Sequence, residues 1–268
     1  MRKPSALGRV YMVLIFSFMY VPIAVMAFFS FNASKSRSVF TGFTLSWYKN
    51  LFRDEMILSA LGISLIIALV ASVIATVLGT MASIGIHSMH KATRSVIMNI
   101  SYMPVINPEI ITGVSMMLLF VVAKTWMGGK IFGIPTLMIA HITFCVPYVI
   151  FNVSPKLRQM DVRMWEAALD LGCTPTQAFF KVVLPEIMPA VLSSFLICLT
   201  YSIDDFIISY FTSGTVQTLP IAIYSMTRKK VSPEINALST IMFVVILSII
   251  LLINARDSRK PKAESLRN

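Results

Sequence analysis

Glu166-Ala167-Ala168-Leu169-Asp170-Leu171-Gly172-Cys173-Thr174-Pro175-Thr176-Gln177-Ala178-Phe179-Phe180-Lys181-Val182-Val183-Leu184-Pro185 is a partly polar stretch between two long apolar runs. Met164 to Leu171 are mostly good helix formers. Gly172 suits the left-handed turn that ends a helix. Thr174, Pro175 and Gln177 then open a second helix, with threonine as N-cap, proline at the first helical position and glutamine three residues after the cap. Phe179, Phe180, Val182, Val183 and Leu184 give that helix an apolar side. Pro185 and Pro189 are expected to end it before the next run. A helix–turn–helix of this kind, outside a bilayer, needs cover for its apolar side. Either the chain's own helix ends supply it, or a groove on a partner protein does.

The runs on either side set the fold class. The 268 residues are 56% hydrophobic and 13% charged, with mean hydropathy +0.78. Soluble domains carry roughly 25% charged residues, and a soluble chain this apolar would expose large sticky patches. A spanning helix needs about 20 apolar residues. Stretches of that kind run roughly 10–30, 58–86, 95–123, 134–153, 189–211 and 235–255. The expectation is an all-α, polytopic membrane protein of six transmembrane helices. It forms one domain over 1–268, with 154–188 as its longest cytoplasmic loop. The first run is too long for an ordinary signal segment and reads as a retained span.

Six spans put both termini on one side. Arg2, Lys3, Arg9, Lys91, Arg94, Lys156, Arg158, Arg163, Lys181, Arg256, Arg259, Lys260, Lys262 and Arg267 fall on that side, fourteen of the 23 basic residues. The other nine are Lys35, Arg37, Lys49, Arg53, Lys124, Lys130, Arg228, Lys229 and Lys230. The richer side is cytoplasmic by the positive-inside rule. Lipid topology therefore explains most of the net charge of +11, and nucleic acid is not implied. Cys145, Cys173 and Cys198 are far apart in sequence without metal-ligand spacing, and read as buried small side chains.

No catalytic residues are expected. The chain has no Gly-x4-Gly-Lys-Ser/Thr phosphate loop, and Gly128-Gly129-Lys130 lacks the spacing. There is no metal constellation and no nucleophile elbow. His87 and His90 bracket a turn and read as interfacial. If the chain does work, the energy is expected to come from another chain.

The informative residues inside the runs are acidic: Glu109, Asp204 and Asp205. A charge near the bilayer centre costs about 2.5–3.5 kcal/mol and normally faces a cavity or polar partner on a transport path. A carboxylate-lined cavity favours cations. On a regular helix Asp204 and Asp205 point about 100° apart, so one faces the path and the other bonds a neighbour. Glu109 follows Asn107-Pro108, which is expected to bend the third span, and its alternative role is to cap the half-helix that restarts there. Phe144 and Tyr148, with Trp126 and Tyr210, are candidates for cation–π contacts.

Glu166-Ala167-Ala168, three residues, Gly172, nine residues, Val182, one residue, Leu184-Pro185 resembles the "EAA" signature of permease subunits of binding-protein-dependent ABC importers, with Val182 in place of isoleucine. The resemblance implies a MetI-like importer permease fold. It also implies a cytoplasmic coupling role for Glu166, Ala167, Ala168, Gly172, Leu184 and Pro185, seated in a cleft of an ATP-binding subunit. His141 to Pro147, Asp161 to Met164, Asp204-Asp205, Ile223 to Met226, Val231 to Ala237 and Gly42-Phe43-Thr44-x-x-Trp47-Tyr48 resemble the spermidine/putrescine permeases of the PotC type. The resemblance pairs position 109 with aspartate, so Glu109 keeps the charge and adds a methylene.

What the likeness implies is a permease of the bacterial inner membrane with both termini cytoplasmic. Its expected partners are a pair of ATPase subunits, a second homologous permease and an extracytoplasmic polyamine-binding protein. No cofactor is expected in this chain, ATP and Mg2+ being bound by the ATPase. Glu109, Asp204, Asp205, Phe144 and Tyr148 are the expected substrate pathway. The competing readings are an ABC permease for another cationic or amine-containing solute, and a secondary cation transporter, which would have no use for the loop.

Overall fold

The computed structural model describes residues 6–34, 39–129, 131–229 and 233–257. Arg2, Lys3, Lys35, Arg37, Lys130, Lys230, Val231, Ser232, Arg259, Lys260, Lys262 and Arg267 lie outside them. The chain is helical: α1 Ala6–Phe29, α2 Ser46–Leu51, α3 Glu55–His87, α4 Lys91–Ile106, α5 Glu109–Met127, α6 Ile134–Gln159, α7 Val162–Asp170, α8 Pro175–Ala178, a π-helical segment Phe179–Val183, α9 Leu184–Asp204, α10 Ile207–Thr212, α11 Leu219–Lys229 and α12 Pro233–Asp257. Among the described residues the extended pairing is one isolated bridge, Asn32 to Phe43.

Five helical stretches are long and apolar enough to cross a membrane: Leu7–Phe29, Glu55–His87, Glu109–Trp126, Ile134–Gln159 and Pro175–Asp204. The 25-residue α12, apolar over the shorter stretch Pro233–Val245, stands where the sixth expected run lies. The burial pattern of α3 shows why these are bilayer helices. From Ala71 to Thr80 two buried residues alternate with two exposed ones. The buried set is Ala71, Ser72, Ala75, Thr76, Gly79 and Thr80; the exposed set is Val73, Ile74, Val77 and Leu78. Large apolar side chains face outward and small or hydroxylated ones inward. Lipid as solvent permits this arrangement and close helix packing rewards it. A Cβ on Gly79 would stand 2.5 Å from Val149 Cβ, so α3 and α6 meet where only glycine fits.

Two expected spans are interrupted. The run 95–123 is not one bent helix but two helices, because Asn107 and Pro108 are both extended. Proline has no N–H to continue α4 and drives the residue before it out of the helical region. The run 189–211 ends early: α9 stops at Asp204, Asp205 is extended and α10 follows as a separate short helix. In the other direction the prolines do not end the loop's second helix. The chain stays helical from Pro175 to Asp204, through the π-helical segment. There the Leu184 N–H bonds to the Phe179 carbonyl, one residue further back than in an α-helix. The widened turn absorbs the misfit that Pro185 would impose on the preceding carbonyls.

The described chain divides into two compact units, Met1–Leu58 with Ile223–Asn268, and Ser59–Ala222. In the first, α12 packs on α1 and α2. Its connection after α1 is pinned by Trp47 Nε1 donating to the Asn32 carbonyl at 2.7 Å and by a 2.7 Å hydrogen bond between the Ser30 and Tyr48 hydroxyls. The rings of Phe43 and Tyr48 stack on Phe31. The second unit holds the candidate sites, and its core is the pair α6 and α9.

Candidate functional site

Helices α6 and α9 run antiparallel and are stitched by polar rungs. Lys156 Nζ donates to Glu186 Oε1 at 2.7 Å. Asn152 Nδ2 donates to the Ala190 carbonyl at 3.1 Å and to Ser194 Oγ at 3.0 Å. Cys145 and Cys198 each direct a thiol at the other's carbonyl, at 3.8 and 3.6 Å. His141 Nδ1 and Ser202 Oγ are 2.6 Å apart. From His141 to Lys156 the ladder covers roughly 22 Å at 1.5 Å per residue. The cysteines, distant in sequence, are thus neighbours in the core, both fully buried and free.

The top rung organises the chain break. His141 Nε2 lies 3.0 Å from Ser209 Oγ and 3.7 Å from Asp205 Oδ2. Asp205 Oδ2 accepts from the Ser209 amide at 2.7 Å, and Oδ1 from the Ile208 amide at 3.3 Å. A carboxylate at the start of a helix satisfies orphan amides and meets the positive end of the dipole. Asp205 therefore holds the first turn of α10, buried beside His141. Thr136 Oγ1 donates to the Thr212 carbonyl at 2.8 Å and fixes the other end of α10 to α6. α10 also packs on α5, where a Cβ on Gly113 would lie 3.0 Å from the Phe211 ring.

Because the helix stops between them, Asp204 and Asp205 do not relate as neighbours on one helix do. Asp204 is exposed at the last turn of α9. It follows Thr200 and Tyr201 by four and three residues, so the three share a face. Thr200 and Tyr201 line a cleft of about 520 Å³ with Ser193, Leu196 and Ile197 of α9 and Tyr148, Phe151 and Asn152 of α6. Tyr148 and Tyr201 meet edge to face with ring centres 4.8 Å apart. Phe144 is buried beneath them, its ring 5.3 Å from Tyr148 and 6.3 Å from Tyr201. Tyr148 thus lines the cleft while Phe144 supports it.

Glu109 is the exposed first residue of α5. Tyr201, Thr200, Asn152 and Ser193 were not anticipated from sequence. The spacing 193, 197, 200, 204 leading to Asp204 is the signal that would have found them. Among the other aromatic candidates, Trp126 is 87% exposed at the end of α5, and Tyr210 packs on Phe206 and Phe211.

The Glu166–Pro185 segment is built from two local motifs. Asp161 caps α7, its side chain accepting from the Arg163 amide at 3.0 Å. At the other end the Cys173 N–H reaches the Ala168 carbonyl and the Gly172 N–H the Leu169 carbonyl, with Gly172 at φ 85°. That pair of bonds is the Schellman motif, and it requires the left-handed region glycine tolerates. Thr174 and Gln177 then cap α8 reciprocally, Gln177 N to Thr174 Oγ1 at 3.3 Å and Thr174 N to Gln177 Oε1 at 3.1 Å.

Ala168 and Ala178 are buried, and Trp165, Phe179 and Leu184 pack against the core, so part of the loop's apolar side is covered by the chain itself. Glu166, Ala167, Gly172 and Pro185 are exposed. Met164, Ala167 and Leu171 follow helical spacing and remain uncovered, Leu171 at 86% exposure. Among the described residues no group of His, Cys, Asp and Glu is placed to hold a metal ion.

The pattern of binding-protein-dependent transport system inner membrane components fits residues 75–257. The chain is 40% identical over 234 residues to the putrescine transport system permease protein PotI of Escherichia coli K12, covering 85% of this chain and 82% of that one. It is 34% identical over 247 residues to the spermidine/putrescine transport system permease protein PotC of Haemophilus influenzae, covering 92% and 94%. In fold it is similar to a chain of a bacterial ABC transporter involved in alginate import, with TM-score 0.69, 16% identity and coverage of 95% and 94%. An amino acid ABC transporter crystallised with histidines gives TM-score 0.55, 19% identity and coverage of 80% and 99%. The helical membrane architecture, the uncovered loop and these likenesses agree: this chain belongs to the inner membrane components of binding-protein-dependent transport systems, as a multi-pass, non-catalytic permease subunit.

Proposed function

We propose that this chain imports polyamines, in the putrescine and spermidine class, as one permease of an ABC importer. The observation that carries the substrate class is the cleft between α6 and α9. It is walled by Tyr148 and Tyr201 and continues along one face of α9 to the exposed Asp204. Ammonium groups are attracted by the faces of aromatic rings and by carboxylates. An α,ω-diamine carries a cation at each end of an apolar stem, which fits a cleft of aromatic, aliphatic and hydroxyl groups with an acid at one end. The names of the relatives, PotI and PotC, support the same class.

In this reading both termini and the Glu166–Pro185 loop are cytoplasmic. The Met164, Ala167 and Leu171 face seats in a groove of an ATPase pair that binds ATP and Mg2+. Glu166 accepts a charged hydrogen bond there. A second homologous permease completes the pathway, and an extracytoplasmic binding protein delivers the solute. Closure of the ATPase pair on ATP is passed through α7 into the continuous helix from Pro175 to Asp204, whose far end carries Asp204. The second half of the loop, from Pro175, and the carboxylate thus lie on one continuous helical stretch.

The test is ATP hydrolysis by the reconstituted complex. Binding protein loaded with putrescine or spermidine is expected to stimulate it several-fold over unloaded binding protein. No stimulation by either amine, with stimulation by another solute, would contradict the polyamine assignment.

A further inference from the structure

The end of the second unit from which α7 departs carries a cluster that translocation does not use. Ser83 and His87 on the last turns of α3, Arg94 in the first turn of α4, and Ser154 and Arg158 on the last turns of α6 line one narrow cleft. Arg94 and Arg158 both lie near enough to act electrostatically on His87. No acidic residue lines the cleft. Neither arginine takes part in the ion pairs Lys156–Glu186 and His141–Asp205. The C-termini of α3 and α6 account for some basic charge, since their dipoles favour cations, but dipole ends carry about half a charge each and leave the guanidiniums largely unbalanced.

Two further features point to an anion. Ser154 is 5% exposed and its Oγ has no hydrogen-bond partner. Ser83, by contrast, spends its hydroxyl on the Gly79 carbonyl at 2.8 Å. A buried hydroxyl left unpaired is costly, and this one faces the basic cleft. The second feature is α4 itself. It starts with His90, whose side chain makes no capping bond, and has no acid in its first turn, so its amide end is uncompensated beside Arg94. The cleft is closed at rest, so an anion would lie across its mouth on the two guanidiniums, and Ser154 would join it only as the cleft opens.

We propose that Arg94, Arg158, His87 and Ser154 form a binding site for a phosphate oxyanion, supplied by the headgroup of an anionic phospholipid or by the free ion. Planar guanidiniums take phosphate oxygens in pairs. The helix ends place the site at the membrane rim on the side of α7, where lipid phosphates lie under the orientation given above, and basic pockets between membrane helices on that side hold anionic headgroups. Arg158 stands four residues before α7, so occupancy braces the base of the coupling loop.

The test uses the full-length chain in a neutral detergent, read by thermal unfolding. Phosphatidylglycerol, phosphatidylcholine or inorganic phosphate is added to the wild type, to R94Q/R158Q, to S154A, and to K91Q/K181Q, which removes the same charge outside the cleft. The expected result is a stabilisation by phosphatidylglycerol over phosphatidylcholine that falls by more than half in R94Q/R158Q, falls measurably in S154A and persists in K91Q/K181Q. The same variant-sensitive stabilisation by inorganic phosphate would name the free ion as the source; its absence would name the lipid. The proposal is overturned if neither probe stabilises the wild type. It is equally overturned if K91Q/K181Q loses as much as R94Q/R158Q, because the attraction is then diffuse and no site exists.

Discussion

Asp205 Oδ2 accepts a 2.7 Å hydrogen bond from the Ser209 amide, and this bond separates two adjacent carboxylates into two jobs. Asp205 is buried and committed to the first turn of α10. Asp204, one residue earlier, is exposed at the end of the tyrosine-lined cleft. Asp205→Ala is expected to leave the Ser209 and Ile208 amides without an acceptor and to destabilise the chain by about 1–3 kcal/mol per orphaned group. Asp204→Asn is expected to leave thermal stability unchanged. Melting of the two variants in the same detergent checks this, and equal destabilisation would contradict the division.

Gly79 stands where a methyl group would press on Val149 Cβ at 2.5 Å and on the Val146 carbonyl at 3.1 Å. Overpacking of this kind costs about 1–3 kcal/mol. Gly79→Ala is expected to lower the melting temperature, and Val149→Ala in the same chain is expected not to rescue it, because alanine keeps the Cβ that the new methyl meets. At Gly113 the added methyl meets a Phe211 ring at 3.0 Å, an edge that rotates more readily than a backbone. Gly113→Ala is therefore expected to be milder than Gly79→Ala.

Gly172 has nothing within 4 Å of a built Cβ, so its constraint is conformational, set by φ 85°. Gly172→Asp is expected to cost about 1–2 kcal/mol through the left-handed backbone and to re-aim α7 against α8. Glu166→Ala removes no side-chain hydrogen bond or ion pair within the described chain. Both variants are expected to insert in the membrane and to lose ATP hydrolysis stimulated by loaded binding protein. Normal stimulation in both would remove the coupling assignment.

The Lys156–Glu186 pair is 33% and 38% exposed, so solvent limits it to about 0–1 kcal/mol despite its 2.7 Å length. Exchange to Lys156→Glu with Glu186→Lys is expected to leave melting within error of the wild type. Asn152→Leu, which removes both hydrogen bonds that Asn152 Nδ2 donates across the ladder, is expected to cost more.

How much of this was legible in the residue order depends on range. The turn at Gly172 and the cap at Thr174-Pro175-Thr176-Gln177 are local, and sequence reading placed both. The six apolar runs were legible for the same reason, since hydropathy is additive along the chain. The breaks were half legible. Pro108 announced a disturbance, but whether a proline bends a helix, parts it, or is absorbed by a π turn as at Pro185 depends on what packs there. Nothing local marks Asp205 as extended; its backbone follows from amides four residues on and from His141 on another helix.

The α6–α9 ladder is non-local, yet it left a trace. His141, Cys145, Asn152 and Lys156 recur on one helical face, as do Glu186, Ser194, Cys198 and Ser202 on its partner. Polar residues repeating at helical spacing in two apolar runs mark faces turned away from lipid.

The most direct test of the central claim is uptake of labelled putrescine by the complete transporter in proteoliposomes containing ATP, with Asp204→Asn and Tyr201→Ala compared to the wild type. Loss of a cation–π contact is worth about 1–2 kcal/mol, and 1.4 kcal/mol is tenfold. Both variants are therefore expected to transport at about a tenth of the wild-type rate while keeping basal ATP hydrolysis and assembly. Wild-type uptake in both would show that the cleft between α6 and α9 is not on the path of the solute.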